Sequence, residues 1–197
     1  AEFNGQPDIF VVQSNETIAI KANPAMGLKA AETATLHFNQ TPALRLGDAD
    51  FDYTAFVDLG NLMWCAMAIG TGEAIKAYCI KYANERTAFG EPISHRQSVA
   101  FMIADMAMKV EGARLLVHRA CWMKDQGMDF SREAAIAKCN ASDVAMQVTT
   151  DAVQVMGGYG YIKEYPVEKY MRDAKIMQIY EGTNQIQRLV IANKTLY

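Results

Sequence analysis

Two periods divide the chain. Over roughly the first fifty residues, apolar positions come in short runs or alternate with polar ones, the period of two that a strand imposes. Ile9 to Val12 is a short apolar run, and Thr17-Ile18-Ala19-Ile20 alternates. Thr33 to Phe38 also alternates, with Ala34, Leu36 and Phe38 on one face and His37 on the polar one. Turn chemistry at Gln13-Ser14-Asn15-Glu16 and the breakers Pro24, Gly27, Pro42 and Gly47 separate these runs. From about Val57 the apolar positions recur every three or four residues, the helical period. A first helix is expected to about Glu85. It contains Gly70 and Gly72, which cost helix stability and so point to a close helix crossing. A second is expected from a capping box at Ser94 and Gln97, with the stripe Val99, Met102, Ile103, Met106, Val110, Ala113, Val117 and Ala120, ending at Gly127. A third begins near Ser131, is rich in small residues and ends at Gly157-Gly158. A short helix follows Pro166. A last one follows Thr183, a good N-cap. The predicted fold class is mainly α: an antiparallel four-helix-type bundle over residues 51–197, preceded by a short β segment over residues 1–50.

Composition narrows the chemistry mostly by exclusion. At 197 residues, with 51% hydrophobic and 21% charged positions, the chain has the balance of a globular protein. A net charge of −3 with scattered basic residues gives no electrostatic footprint for nucleic acid. Cys65, Cys79, Cys121 and Cys139 lie far apart within helical patterns, so buried reduced thiols are expected and no metal site. No apolar run reaches membrane-spanning length and no signal peptide is visible at the start. The first residues, Ala1-Glu2-Phe3, start in what reads as the middle of a β-domain, which leads to the expectation of a truncated domain. The 12 methionines fall mostly on helix stripes and are expected in the core, with the lining of an apolar pocket a minority reading for Met67 or Met177.

The strongest chemical candidate is Glu181, in Tyr180-Glu181-Gly182-Thr183-Asn184-Gln185. It is flanked by Ile176, Met177, Ile179 and Tyr180 before and Ile186, Leu189 and Val190 after. A carboxylate in an apolar pocket is poorly solvated and becomes a competent general base near neutral pH. The competing reading is a solvated turn residue, or a first-turn acid favoured by the helix dipole. Gly157-Gly158-Tyr159-Gly160 is not a dinucleotide fingerprint, because it follows a helix and has Lys163 where a third glycine would be. By itself it is a helix-ending turn. Arg86 by itself is a helix-end cation, and Phe89 a core residue.

Several segments belong together: Arg86-Thr87-Ala88-Phe89-Gly90-Glu91-Pro92-Ile93, Gln97, Ala104-Asp105-Met106-Ala107, the run from Asp151 to Tyr161, Glu164 to Glu168, Arg172 to Ile176, and Ile179 to Thr183. In this order they resemble the C-terminal part of an acyl-CoA dehydrogenase. The resemblance implies FAD as cofactor, with Arg86 at its pyrophosphate, Phe89 at its adenosine end, and Gln97, Gln154, Gly157 and Gly158 nearby, on a flavin held by a neighbouring subunit. Thr183 and Gln185 would complete the flavin contacts near the base, and Tyr180 and Gly182 would face substrate. It implies α,β-dehydrogenation of an acyl-CoA thioester, with Glu181 removing the α-proton and the β-hydrogen leaving as hydride to the flavin. The base residue's own backbone N–H and a flavin hydroxyl would stabilise charge on the thioester oxygen. Some relatives carry the base near Asp58, where this chain has no Glu; that favours the short- to medium-chain type. The implied partners are further copies of the chain in a dimer or tetramer and an electron-transfer flavoprotein. The implied compartment is the cytoplasm, or the mitochondrial matrix of a eukaryote. Asn61 stands where many relatives have an Arg, and Ala88 where some have Thr or Gln. The family's N-terminal helical domain and most of its β-domain have no counterpart here. The expectation is therefore about half an enzyme, inactive in isolation. The alternatives are a non-catalytic assembly module, or an acyl-CoA oxidase or enoyl-CoA reductase relative.

Overall fold

A computed structural model describes residues 1–47 and 51–197. The chain falls into two compact units, Ala1–Val57 and Asp58–Tyr197. The expected division at residue 50 lies outside the described residues.

In the first unit, β1 (Glu2–Phe3) pairs with β2 (Gln6–Pro7), β3 (Phe10–Val12) with β6 (Ala43–Arg45), and β4 (Ile18–Ala22) with β5 (Ala34–Phe38), all antiparallel. The register sets Ile18 opposite Phe38 and Ile20 opposite Leu36, so the alternation read in the sequence gathers the apolar side chains on one face. Ile20, Leu36 and Phe38 are exposed on that face, and His37 is exposed on the other. Asp8 is buried between the Ile9 N–H, 2.7 Å from its Oδ1, and the Arg45 guanidinium. The hydrogen bond from Arg45 holds the Asp8 carboxyl below the usual carboxylate range.

The second unit is helical. Its long elements are α1 (Tyr53–Glu85), which enters the unit at Asp58, α2 (Gln97–Asp125) and α3 (Ser131–Met156). After α3 come a single turn α4 (Gly158–Tyr161), then α5 (Val167–Lys175) and α6 (Asn184–Leu196). Short links force successive long helices to run antiparallel. The centre is α3, against which α2, α5 and α6 all pack. Small residues make that possible: Ala134, Ala135, Ala137, Ala141 and Ala145 are all buried, letting three neighbours approach one helix closely. The predicted stripe of α2 is buried at Met106, Val110, Ala113, Val117 and Ala120 and only partly covered at Val99, Met102 and Ile103. The close crossing is at Gly72, where a Cβ would stand 2.8 Å from a Val110 methyl, and not at Gly70, which faces open space. Among the described residues no helix is long and apolar enough to cross a membrane.

One local expectation fails, and one element was not foreseen. Ser94 does not cap α2. It lies in a single 3-10 turn, Ile93–His95, and extended Arg96 (φ −79°, ψ 119°) precedes the helix with no side-chain cap. Pro92, extended at ψ 141°, ends a strand instead of opening a helix. The unforeseen element is that strand's hairpin. β7 (Thr87–Ala88) pairs with β8 (Glu91–Pro92) around a two-residue turn in which Phe89 (φ 57°) and Gly90 (φ 87°) are both left-handed.

Candidate functional site

The end of α1, its hairpin and the end of α3 together build a concave surface. Arg86 closes the last turn of α1 through its N–H to the Tyr82 carbonyl at 2.8 Å, and its carbonyl accepts from Ile93 N–H at 2.8 Å. At the far end of α3, Gly157 takes φ 58°, ψ −134°, a conformation that L side chains rarely adopt, and turns the chain into α4. Between these ends lies a cavity of about 510 Å3, bordered by Tyr82, Arg86, Gln154, Gly157, Gly158 and Tyr159 among others. Four residues predicted from separate segments, Arg86, Gln154, Gly157 and Gly158, thus share one hollow. The Arg86 guanidinium lies 5.3 Å over the Tyr159 ring, which orients it without using its N–H donors. Phe89 is not a core residue: it is 96% exposed at the hairpin tip. Its ring is backed by the Arg96 guanidinium at 5.6 Å. Arg96 spends one nitrogen on Glu91 at 3.1 Å, while its buried Nε has no partner among the described residues. Gln97, the first residue of α2, is exposed beside this hairpin.

The Glu181 turn is built differently from what its neighbours suggested. Glu181 is exposed, with no apolar pocket around it. Helix geometry splits the flanking residues: Met177 points into the core, whereas Ile179, Ile186 and Leu189 face outward. The backbone is unusual at Glu181 (φ 53°) and Gly182 (φ 81°), two successive left-handed residues before α6. Thr183 caps α6, its hydroxyl accepting from Ile186 N–H at 3.3 Å, and Gln185 is exposed in the first turn. Tyr180 is half-buried, its ring 4.5 Å from that of Trp64. Its hydroxyl has no partner among the described residues, and burial pushes the phenol up to about 12. Asn61 is 1% exposed, and its Oδ1 has no partner among the described residues.

Beneath this turn lies a polar network that the sequence reading missed. Lys138, 2% exposed, donates to the Gly182 carbonyl at 2.7 Å and to Asn184 Oδ1 at 3.0 Å. Gln187 Nε2 donates to the Glu181 carbonyl at 3.2 Å. Asn184 Nδ2 reaches Asp143 at 2.8 Å, and Asp143 also accepts from Gln178 at 2.6 Å. Burial holds the Lys138 ammonium below the usual lysine range. The signal for Lys138 was present. It stands on the small-residue face of α3, three positions after Ala135 and three before Ala141, so the helical period already placed a cation in the core.

The two clusters do not meet within one chain. Lys138 grips the Glu181 turn and Gln154 borders the cavity, and 154 − 138 = 16 positions of α3 correspond to about 24 Å at the helical rise. Among the described residues no group of His, Cys, Asp and Glu could hold a metal ion.

A family model for the acyl-CoA dehydrogenase C-terminal domain matches residues 53–196, the whole helical stretch. The short-chain specific acyl-CoA dehydrogenase of Megasphaera elsdenii is 44% identical over 182 residues, 89% of this chain and 48% of that protein. The structure of butyryl-CoA dehydrogenase from the same organism superposes with a TM-score of 0.86 at 37% identity, covering 98% of this chain and 57% of that one. A chain from a structure described as the electron transferring flavoprotein of Acidaminococcus fermentans gives a TM-score of 0.87 at 40% identity, covering 96% of this chain and 56% of that one. The chain thus spans about half the length of the curated relatives it matches. A match running through all six helices, together with 44% identity to a named member, shows that this chain belongs to the acyl-CoA dehydrogenase family.

Proposed function

We propose that this chain takes part in FAD-dependent α,β-dehydrogenation of a short- to medium-chain acyl-CoA thioester, with Glu181 as the base for the α-proton. The observation that carries the reading is the shared cavity, where Arg86, Gln154, Gly157 and Gly158 meet although they come from segments some 70 positions apart. The donor set fits the nucleotide end of FAD. A guanidinium with free donors binds phosphate oxygens by paired hydrogen bonds, two glycines let backbone approach closely, and an aromatic ring stands exposed nearby. Phe89 and Gln97 extend this surface along the hairpin. FAD, when bound, supplies the hydride acceptor.

At the other cluster the chain's own groups do the work. Glu181 Oε accepts the α-proton. The left-handed turn holds that carboxylate outward at the start of α6, beside Tyr180, Gly182, Thr183 and Gln185. Docking an acyl-CoA over Glu181 would exclude water from the carboxylate and the α-carbon. Enolate-like charge on the thioester oxygen needs backbone N–H donors, and the Glu181 N–H is the chain's candidate.

The separation of about 24 Å along α3 supports a homo-oligomer in which each flavin is contacted by the Glu181 cluster of one copy and the Arg86 cluster of another. A face suited to such contact exists on α2: Phe101, Met108, Leu115 and Trp122 recur at intervals of seven and are all exposed. An electron-transfer flavoprotein is the proposed electron acceptor, and the cytoplasm or the mitochondrial matrix the proposed compartment.

The test is α-proton exchange. The FAD-loaded protein that carries this sequence is incubated with butyryl-CoA in D2O, and deuterium at the α-carbon is followed by mass spectrometry. Glu181→Gln should slow exchange by about 100-fold or more, the usual worth of a positioned base. Equal exchange in both proteins would refute the base assignment and favour an assembly role.

A further inference from the structure

Two consecutive carbonyls of the Glu181 turn are held from inside the protein. Gln187, 5% exposed on α6, donates to the Glu181 carbonyl at 3.2 Å. Lys138, buried on α3, donates to the Gly182 carbonyl at 2.7 Å. All described peptide bonds are trans, so each N–H points opposite to the carbonyl of its own plane. Pulling the Glu181 and Gly182 carbonyls inward therefore turns the Gly182 and Thr183 N–H groups away from the core. The arrangement is tight at Gly182, where a Cβ would stand 2.8 Å from Gln187 Nε2.

Lys138 is an unusual choice for this task. Among the described residues its two hydrogen-bond acceptors, the Gly182 carbonyl and Asn184 Oδ1, are both neutral, and a buried cation with neutral acceptors is costly to fold around. An apolar side chain among Ala134, Ala135 and Ala141 would pack there without that cost. The carboxylates of Asp143 and Glu181 both act on the Lys138 ammonium through space. A long side chain that reaches from α3 to the loop before α6 ties a strained, exposed turn to the most buried helix of the unit.

We infer that Lys138 is the positioning residue of the catalytic turn, its buried ammonium clamping the Gly182 carbonyl so that the left-handed Glu181–Gly182 pair keeps the carboxylate and the neighbouring N–H groups facing the substrate side. The inference deepens the base assignment of Glu181 and rests on it. Lys138 itself touches neither proton nor hydride. It fixes where the base stands, and a misplacement of about 1 Å at a reacting group costs on the order of 100-fold in rate.

The test compares Lys138→Met, Lys138→Gln and Glu181→Gln in the FAD-loaded protein, reading amide hydrogen exchange by mass spectrometry, thermal unfolding, and steady-state kinetics with butyryl-CoA. Lys138→Met should speed exchange in peptides spanning 180–186 by about tenfold or more, while peptides of α2 keep parental exchange. It should lower kcat by about 10- to 100-fold with KM within about threefold. The unfolding midpoint should stay within about 3 °C of the parent, which a simple loss of structure would not do. If Lys138→Met fails to fold, Lys138→Gln, neutral and shorter, carries the same readouts. Parental exchange at 180–186 and parental kcat in the folded variant overturn the inference. A fully active Glu181→Gln would instead overturn the base assignment, while the exchange readout still decides whether Lys138 holds the turn.

Discussion

Replacing Gly72 and Gly70 separately by alanine measures the helix crossing on which the bundle depends. Both glycines lie inside α1, two positions apart. In a helix interior each substitution gains about 0.5–1 kcal/mol, because alanine has less backbone freedom to lose. At Gly70 no described residue outside the helix's own backbone and chain neighbours lies within 4 Å of a new Cβ, so the gain stands alone. At Gly72 the new Cβ would meet Val110 Cγ2 at 2.8 Å, well inside van der Waals contact. Val110 cannot swing aside cheaply, since it is β-branched on a helix and 1% exposed. The helices must separate by a few tenths of an ångström, and overpacking of this kind costs about 1–3 kcal/mol. The propensity gain is common to both variants, so their difference reads the clash alone, about 1–3 kcal/mol. At about 2–4 °C per kcal/mol, Gly72→Ala should melt several degrees below Gly70→Ala, followed by circular dichroism at the helical band. Adding Val110→Ala to Gly72→Ala should cost less than Val110→Ala alone, the signature of a coupled pair. If Gly72→Ala proves as stable as Gly70→Ala, α1 and α2 do not cross at Gly72 and the account of the bundle is wrong.

Three further outcomes follow from the same structure. Arg86→Gln should weaken FAD binding by about tenfold or more, through loss of charge-assisted paired donors, with unchanged circular dichroism because Arg86 is exposed; parental affinity in a fluorescence titration would remove Arg86 from the site. Glu73 bridges helices, accepting from Lys76 within α1 and from Arg114 of α2 at 2.6 Å, and the hydrogen bond from Lys76, with Arg114 assisting, lowers its carboxyl from the ordinary 4.5. Because the folded value is depressed, its contribution is complete above pH 4.5 and is lost as pH falls through the folded value; for a partly exposed pair about 0.5 kcal/mol is expected, so urea midpoints of the parent and Glu73→Gln should converge on acidification. Burial pushes the Cys65 and Cys79 thiols up to about 12, whereas Cys121 is only half-buried; iodoacetamide at pH 8 should label Cys121 first, and early labelling of Cys65 would contradict the packing of α1.

The helical half of the fold was legible because its signals are local and repetitive. The stripe of α2, the small residues of α3 and the Thr183 cap each follow from a period or a single side chain. The hairpin before α2 was not read, because its signal is one glycine after an aromatic, and the Ser94–Gln97 spacing imitated an N-cap two residues before the observed one at Arg96. The site divided the same way. Arg86, Gln154, Gly157 and Gly158 were named from segment resemblance, and the ends of α1 and α3 bring them together. The pocket expected around Glu181 does not form within this chain, because adjacency in sequence is not adjacency on a face: Met177 turns inward while Ile186 and Leu189 turn out. What holds the Glu181 turn instead is contributed from 44 positions away by Lys138, which donates to the Gly182 carbonyl, a long-range contact that no local window reports.

The claim that matters most is that Glu181 removes a proton while the flavin accepts a hydride. The FAD-loaded protein that carries this sequence should be mixed anaerobically with butyryl-CoA and the visible flavin band followed by stopped flow, for the parent and for Glu181→Gln. The account predicts rapid bleaching in the parent and a loss of about 100-fold or more in the variant, with FAD retained by both. Equal bleaching rates would contradict it, and a parent that holds FAD but never bleaches with any acyl-CoA would contradict it as well.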